Sequence, residues 1–364
     1  MKLNVELVPL LLLFFSLSLC EMAYIFEEDD LELERQVRTM NKPSIKTFST
    51  KEGDKIDCVD INKQPALDHP LLKNHKVQTQ PNLHFTSFCS TSPDAKSVKF
   101  GLREPCPSGT VPIRQVVSLT DNMVENIKYG GGGSLTFFNL TVAHDQLSAH
   151  SLWIETGPPE HISMIVAGWM VSPQLFRDNR PRLFTYWTGD GYRNGCYNVL
   201  CPGFVQVDRE VTPGHPLEPA STYGGRLFEL NFHIEQDRST GNWWLIGGDG
   251  DQAIKVGYWP KELFLYLRNG SLHTAWGGIG IAGSNGFCPP MGSGHRPDGV
   301  LSHAAVFRRL YWIRSDGKFL PPSDKTTVWV DRSNVYGLMN FHRVRKCRMG
   351  YMISFGGPGG YCRV

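Results

Sequence analysis

From Ser134 to the C-terminus the chain runs as short apolar or aromatic segments, each closed by glycine, proline, Asn or Asp, and this rhythm constrains the fold most. Leu135-Phe137-Leu140, Leu152-Ile154, Met164-Val166-Gly168, Phe184-Tyr186, Phe204-Val207, Leu227-Leu230-Phe232, Trp243-Leu245 and Val256-Tyr258 are the clearest segments. Short runs between turn residues at this spacing predict an all-β chain folded as an antiparallel sandwich. Only Pro260 to Arg268 reads as a helical turn, with proline at its start. No alternation of strands with long helices supports βαβ units.

The first twenty residues read as an address. Lys2 supplies a positive start, Leu10 to Leu19 form an apolar run too short to span a bilayer, and Ser18 and Cys20 suit a cleavage site after Cys20. No later run approaches membrane-spanning length, so the expected product is exported and free of the membrane. Of the nine cysteines, removal of Cys20 leaves eight: Cys58, Cys89, Cys106, Cys196, Cys201, Cys288, Cys347 and Cys362. An even set in an exported chain predicts disulfides. Sequons at Asn139 and Asn269 agree with that compartment. With 37 basic and 35 acidic residues, no charge excess steers the chain toward nucleic acid or anionic lipid. The basic run Arg343 to Arg348 reads as a solvated strand face.

Phe26 to Asn41 could form a short amphipathic helix, with Leu31, Leu33 and Val37 as its apolar positions. Gly130 to Gly133 resembles a phosphate loop in composition, but it lacks the Gly-Lys-Ser/Thr ending. It reads instead as a flexible joint ahead of the first strand.

Two sets of motifs carry a family resemblance. The first is Asp57-Cys58-Val59-Asp60-Ile61, Lys63-Gln64-Pro65-Ala66 and Asp68-His69-Pro70-Leu71-Leu72-Lys73-Asn74-His75, with Glu104-Pro105-Cys106-Pro107 and Val111-Pro112-Ile113-Arg114 beyond. The second starts with the stretch Ile165 to Gln206, which contains Ala167-Gly168-Trp169 and Cys196 to Cys201. It continues through Tyr223-Gly224-Gly225, Glu229-Leu230-Asn231, Thr240-Gly241-Asn242-Trp243-Trp244, Val256-Gly257-Tyr258-Trp259-Pro260 and Trp276-Gly277-Gly278. Met291-Gly292-Ser293-Gly294-His295 and Phe355-Gly356-Gly357-Pro358-Gly359 complete it. In this order the motifs resemble the neprosin family, secreted plant glutamic peptidases that cut next to proline. The resemblance implies a signal peptide at 1–20, an activation-peptide-like propeptide at 21–115 and a peptidase-like domain at 116–364. It further implies a jelly-roll-like sandwich of two large curved sheets. Pairing of Cys58 with Cys106 and of Cys196 with Cys201 is carried over from the family, and Cys347 with Cys362 fits a bridge closing the C-terminal strands. Cys89 and Cys288 look additional to the family's set; an extra bridge between them is preferred over a free thiol, with the pairing left open.

Hydrolysis without a covalent intermediate needs an activated water, a stabilised oxyanion and a protonated leaving amine. Two carboxylates whose pKa values are pushed apart can supply these. The resemblance places the family's first glutamate before Ala-Gly-Trp and its second after Trp-Gly-Gly. Here those positions are Val166 and Ile279, within intact flanking motifs. Along the strand Glu160 is six residues from Val166, or about 20 Å. Glu155 is farther and of opposite parity, and Asp178 follows the Pro173 turn. Ser271 to Pro297 contains no acid.

Other chemistries have less behind them. Ser293 and His295 could face one another as i and i+2 on a strand, but no nucleophile-elbow pattern surrounds them. Among twelve histidines there is no His-Glu-x-x-His, and Cys196 with Cys201 lacks a second pair at metal spacing, so neither cofactor nor metal is expected. Trp243, Trp244 and Trp259 read as core or sheet-face residues; Trp187, Tyr192 and Trp276 are the candidates for lining a peptide groove. The expected protein is secreted, into the apoplast or cell-wall space, and catalytically inactive. It is expected to bind peptides or proline-rich wall glycoproteins. The alternatives are an active prolyl endopeptidase using other acids and a carbohydrate-binding sandwich.

Overall fold

The computed structural model describes residues 44–49, 55–83, 96–97, 110–111, 127–191, 193–283, 286–322, 326–330, 333–343 and 350–361. The N-terminal part holds strands β1 (Ser44–Ser49), β2 (Lys55–Asp60), β3 (Lys96–Ser97) and β4 (Thr110–Val111). The body opens with β5 (Gly130–Thr136), β6 (Leu147–Thr156), β7 (Ser163–Val171), β8 (Arg182–Thr188), β9 (Gly195–Tyr197) and β10 (Val205–Gln206). There follow β11 (Phe228–Gln236), β12 (Trp243–Gly247), β13 (Ile254–Trp259), β14 (His273–Ile281) and β15 (Phe287–Cys288). It closes with β16 (Ala305–Ile313), β17 (Phe319–Leu320), β18 (Gly337–Arg343), β19 (Tyr351–Gly356) and β20 (Gly360–Tyr361). One α-helical turn, α1 (Pro173–Phe176), is described. The expected helical turn after Pro260 is a single 3₁₀ turn, Lys261–Leu263.

Two antiparallel sheets form the sandwich. The larger has ten strands, in the order β10-β13-β12-β11-β5-β16-β19-β18, with β17 beside β16 and β3 beside β11. The β3–β11 contact is the parallel exception. The smaller has the order β14-β6-β7-β8-β9. The chain crosses between sheets after β5, β9, β13 and β14, so neither sheet is sequence-continuous. A three-stranded sheet, β1-β2-β4, belongs to the N-terminal part. Ser44–Val364 cluster as one compact unit; the other unit, Met1–Pro43, lies outside the described residues, as does the expected helix at 26–41.

Alternation along each strand decides what meets in the core. On β7, Ile165, Ala167, Trp169 and Val171 point inward, and Leu135, Phe232, Ile234, Phe307 and Ile353 answer from the large sheet. Buried indoles need acceptors. Trp169 Nε1 donates to the Thr136 carbonyl at 3.0 Å and Trp276 Nε1 to the Gly132 carbonyl at 3.1 Å, tying the small sheet to β5 across the core.

The glycine run therefore has a different role from the expected joint. Gly130 to Gly133 form most of β5, fully buried between β11 and β16. A Cβ at Gly131 would lie 2.6 Å from Thr274 Cγ2, and at Gly132 2.5 Å from His233 Cβ. Neighbours on both faces occupy the space a side chain would need, so glycine is required by packing and not by flexibility.

Candidate active site

The face of the small sheet that points away from the main core carries Val166 and Ile279, the two positions that the resemblance assigns to glutamates. In register, Ala275, Trp153, Val166, Tyr186 and Tyr197 form one row across β14, β6, β7, β8 and β9. The next row on that face is Gly277, Ser151, Gly168 and Phe184, and the next Ile279, Ala149, Met170 and Arg182. Val166 and Ile279 thus share a face, on strands with β6 between them, and stand two rows apart. Two strand spacings and four residues of rise separate them by roughly 16 Å on a flat sheet. Between them the middle row is low, because two of its four members are glycines. Gly168 cannot be larger: a Cβ there would come within 2.0 Å of the His150 carbonyl.

The surroundings of Val166 are hydrocarbon. It is fully buried with Trp153, Met164, Met170, Phe184 and Ala275, while Ile279 is half-buried. At one end α1 closes the face: the Arg182 guanidinium lies 5.1 Å over the Phe176 ring and pairs with Asp178 at 2.6 Å.

One carboxylate does share this face. Glu155 pairs with Met164 on one side and His273 on the other, and Met164 is two residues from Val166. Parity counted along a single strand had placed Glu155 wrongly. The chain turns back between β6 and β7, so pairing across the hairpin, not residue count, sets the face. Glu155 is half-buried; burial raises its pKa above the usual carboxylate range, against a lowering hydrogen bond from the Trp153 indole. His273 is pushed the other way by burial and by the Lys128 charge, and its Nδ1 has no hydrogen-bond partner among the described residues. Glu160, the acid nearest along the chain, sits exposed in a 3₁₀ turn before β7.

Two expected groove residues are core residues instead. Trp276 alternates inward on β14, between Ala275 and Gly277, and makes the bond to Gly132 already described. Trp187 alternates inward on β8; it is 1% exposed, with His69 at 5.7 Å and Phe264 at 6.0 Å between ring centroids. Aromatic character identified them, but strand parity aims them at the core. Tyr192 lies outside the described residues. The aromatics on the candidate face are Trp153, Phe184, Tyr186 and Tyr197.

Ser293 does not face an imidazole. Its Oγ donates to the His303 carbonyl at 2.6 Å, while His295 packs at a tilt against Tyr223, with ring centroids 4.0 Å apart. The surrounding motif serves the fold: Met291 and Gly357 exchange backbone hydrogen bonds, and Gly292 N–H donates to His150 Nε2 at 2.6 Å. His150 stacks on Trp169 at 3.7 Å, and burial lowers its pKa to about 3, so it stays a neutral acceptor. No group of three or more metal-ligating residues occurs among the described residues. Cys196 and Cys201 form a disulfide with Cα atoms 5.8 Å apart. Cys58 and Cys288 are also disulfide-bonded, whereas Cys89, Cys106, Cys347 and Cys362 lie outside the described residues. Asn139 and Asn269 are exposed.

Residues 64–82 of the N-terminal segment dock on the other sheet. Gln64 and Gln206 exchange hydrogen bonds, Nε2–H to carbonyl at 3.1 Å and N–H to Oε1 at 2.8 Å. Ala66 packs with Val205, Trp244, Ile246 and Tyr258 on the outer face of the large sheet, and Leu72 enters the main core. Tyr258 Oη accepts from Gln78 N–H at 2.8 Å and meets His75 Nε2 at 2.7 Å. Asp237 Oδ2 accepts from Gln78 Nε2 and from Asn82 N–H. Each of these anchors lies on the large sheet, in the turn between β11 and β12 or in the core, and none is Val166 or Ile279.

Residues 47–126 match the neprosin activation peptide model and residues 144–358 the neprosin model. Among solved structures, scytalido-glutamic peptidase with a transition-state analogue inhibitor is similar at 10% identity and TM-score 0.35, over 65% of this chain and 95% of that one. SCP-B, an eqolisin-family peptidase in complex with the tripeptide Ala-Ile-His, gives 10% identity and TM-score 0.33, over 65% and 94%. With its activation-peptide match, its all-β sandwich and a neprosin match over more than half its length, the chain belongs to the neprosin family.

Proposed function

We propose that this chain is an exported neprosin-family protein that has lost peptide hydrolysis and keeps the dyad face to bind apolar, proline-rich segments of peptides or wall glycoproteins. The observation that carries it is hydrocarbon at both dyad positions, Val166 and Ile279, on one face of one sheet. A positioned acid or base contributes roughly 10²- to 10⁴-fold, and groups that act as a unit lose most of that when one is removed. Neither valine nor isoleucine can take a proton from water. The Gly277-Ser151-Gly168 row carries little side chain but is buried, so an extended chain binds there only once the face is uncovered; the flanking apolar rows then suit proline rings. The activation peptide and the disulfides fit an oxidising, extracellular destination.

Glu155 supports a second reading, in which one acid with a raised pKa sustains slow cleavage. A quenched peptide with an internal proline, incubated with the protein at acidic pH, separates the two. Binding by fluorescence anisotropy without cleavage is the expected result. Cleavage that survives serine, cysteine and metal inhibitors overturns the binder reading, and its loss in Glu155→Gln assigns it to that acid.

A further inference from the structure

A cavity of about 570 Å³ opens on the large-sheet side of the molecule, between the turn that joins β11 to β12 and the loop that follows β13. Its charge is one-sided. Arg238, Lys261 and Arg268 line it, and no carboxylate does. The Arg238 guanidinium is held 5.3 Å over the Tyr129 ring and donates to the Ser315 carbonyl, with Glu235 3.9 Å behind it. Arg268 uses only Nε, on the Phe264 carbonyl at 3.0 Å, and its terminal nitrogens have no partner among the described residues. The Lys261 ammonium makes no ion pair there either. Its stem crosses Gly241, where a Cβ would lie 2.6 Å from Lys261 Cδ, so the bare glycine fixes the path of the side chain.

We propose that this cavity binds an acidic sugar, a pyranose ring bearing a carboxylate. Three cations lining one concave site concentrate positive potential and favour an anion. The volume falls within the range of small-ligand sites, roughly 300–1,000 Å³. An inorganic oxyanion would fill only a corner of it. In the remaining lining the Ser239 and Thr240 hydroxyls, which donate to Asp237 Oδ1 at 2.7 Å and Gln78 Oε1 at 3.1 Å, each keep a lone pair able to accept from a ring hydroxyl, with Tyr129 beside them and Asn269 at the rim. The site is independent of the dyad face, so the two proposals fail separately.

The test is calorimetric titration of the full-length Asn269→Gln protein, which keeps any glycan off the rim. A hexuronic-acid disaccharide is titrated at low ionic strength, with its neutral methyl ester and inorganic sulfate as parallel arms. The uronate binds, and ester and sulfate each bind at least about tenfold more weakly. Lys261→Gln and Arg268→Gln each lower uronate affinity about fivefold or more and flatten its salt dependence at unchanged Tm. No uronate binding at millimolar concentration, ester binding of equal strength, or sulfate binding of equal strength (an unspecialised anion patch) each overturns the proposal.

Discussion

Val166 occupies a position where a carboxylate could act only if it could be charged, and its neighbours are Trp153, Met164, Met170, Phe184 and Ala275. A glutamate introduced there would be desolvated and its folded-state pKa raised. Its destabilisation is then smallest below the unfolded carboxylate pKa and grows as pH rises through the folded one. Val166→Glu is expected to cost about 3 kcal/mol or more at pH 7 and distinctly less at pH 4, read by urea unfolding at both. Equal losses at the two pH values would show that the side chain reaches water. Restoring both acids, Val166→Glu with Ile279→Glu, is expected to create cleavage at acidic pH only, and the unfolding curve must accompany that assay. The hydrocarbon at Val166 and Ile279 was legible in the sequence, because the flanking motifs mark the two positions the resemblance assigns to glutamates. Glu155 was not, since its place beside Val166 comes from pairing across a hairpin. The inward aim of Trp187 and Trp276 was hidden for a related reason: residue type does not reveal parity.

Strand β5 shows what a local sequence omits. Four glycines carry no strand preference and no hydrophobic period, so they read as a joint. They form a strand because His233, Tyr311, Thr274 and Trp276, all distant in sequence, fill the space on both faces. Gly132→Ala places a Cβ 2.6 Å from Tyr311 Oη as well as against His233. Overpacking of this kind costs about 1–3 kcal/mol, expected at the upper end here because both faces are closed; a Tm unchanged within a degree would contradict it. On the neighbouring strand β11, Glu235 is buried with neither carboxylate oxygen hydrogen-bonded among the described residues, and burial pushes its pKa up to about 8. A raised folded-state pKa gives stability that is whole below the unfolded value of 4.5 and lost as pH rises through about 8. Glu235→Gln should therefore raise Tm at pH 9 relative to wild type and have little effect at pH 5. Equal shifts at both would mean that the carboxyl is not held neutral by the fold.

At the scale of the molecule, the N-terminal segment is tied to the large sheet by groups that acid titrates in one direction. Tyr258 Oη accepts from Gln78 N–H and is hydrogen-bonded to His75 Nε2, with the direction of that second bond set by the imidazole's tautomer. Burial lowers the pKa of His75, against the raising influence of Glu262 at 3.9 Å, and burial also lowers that of His69 against Trp187. Docked histidines with lowered pKa bind fewer protons than free ones. Their contribution is whole above about pH 6.5 and declines as pH falls below it. Asp237 acts in the same sense at lower pH: hydrogen bonds from Ser239, Asn82 and Gln78 outweigh desolvation and hold its pKa low, so its grip is lost only as pH falls toward and below 3.8. Leu72 opposes release, because undocking returns a fully buried side chain to water at a cost of about 2 kcal/mol. The expected result is progressive loosening of residues 64–82 between pH 7 and pH 4, beginning around the histidines. Hydrogen exchange across that segment measures it directly, after correction for the intrinsic slowing of exchange in acid. His75→Phe keeps the ring but removes the titration, so it should dock less tightly than wild type at pH 7 and lose less on acidification. If the corrected protection of 64–82 is the same at pH 4 as at pH 7, the histidines do not govern the docking, and the segment is held by the packing of Ala66 and Leu72, the Gln64–Gln206 exchange and the bonds to Asp237.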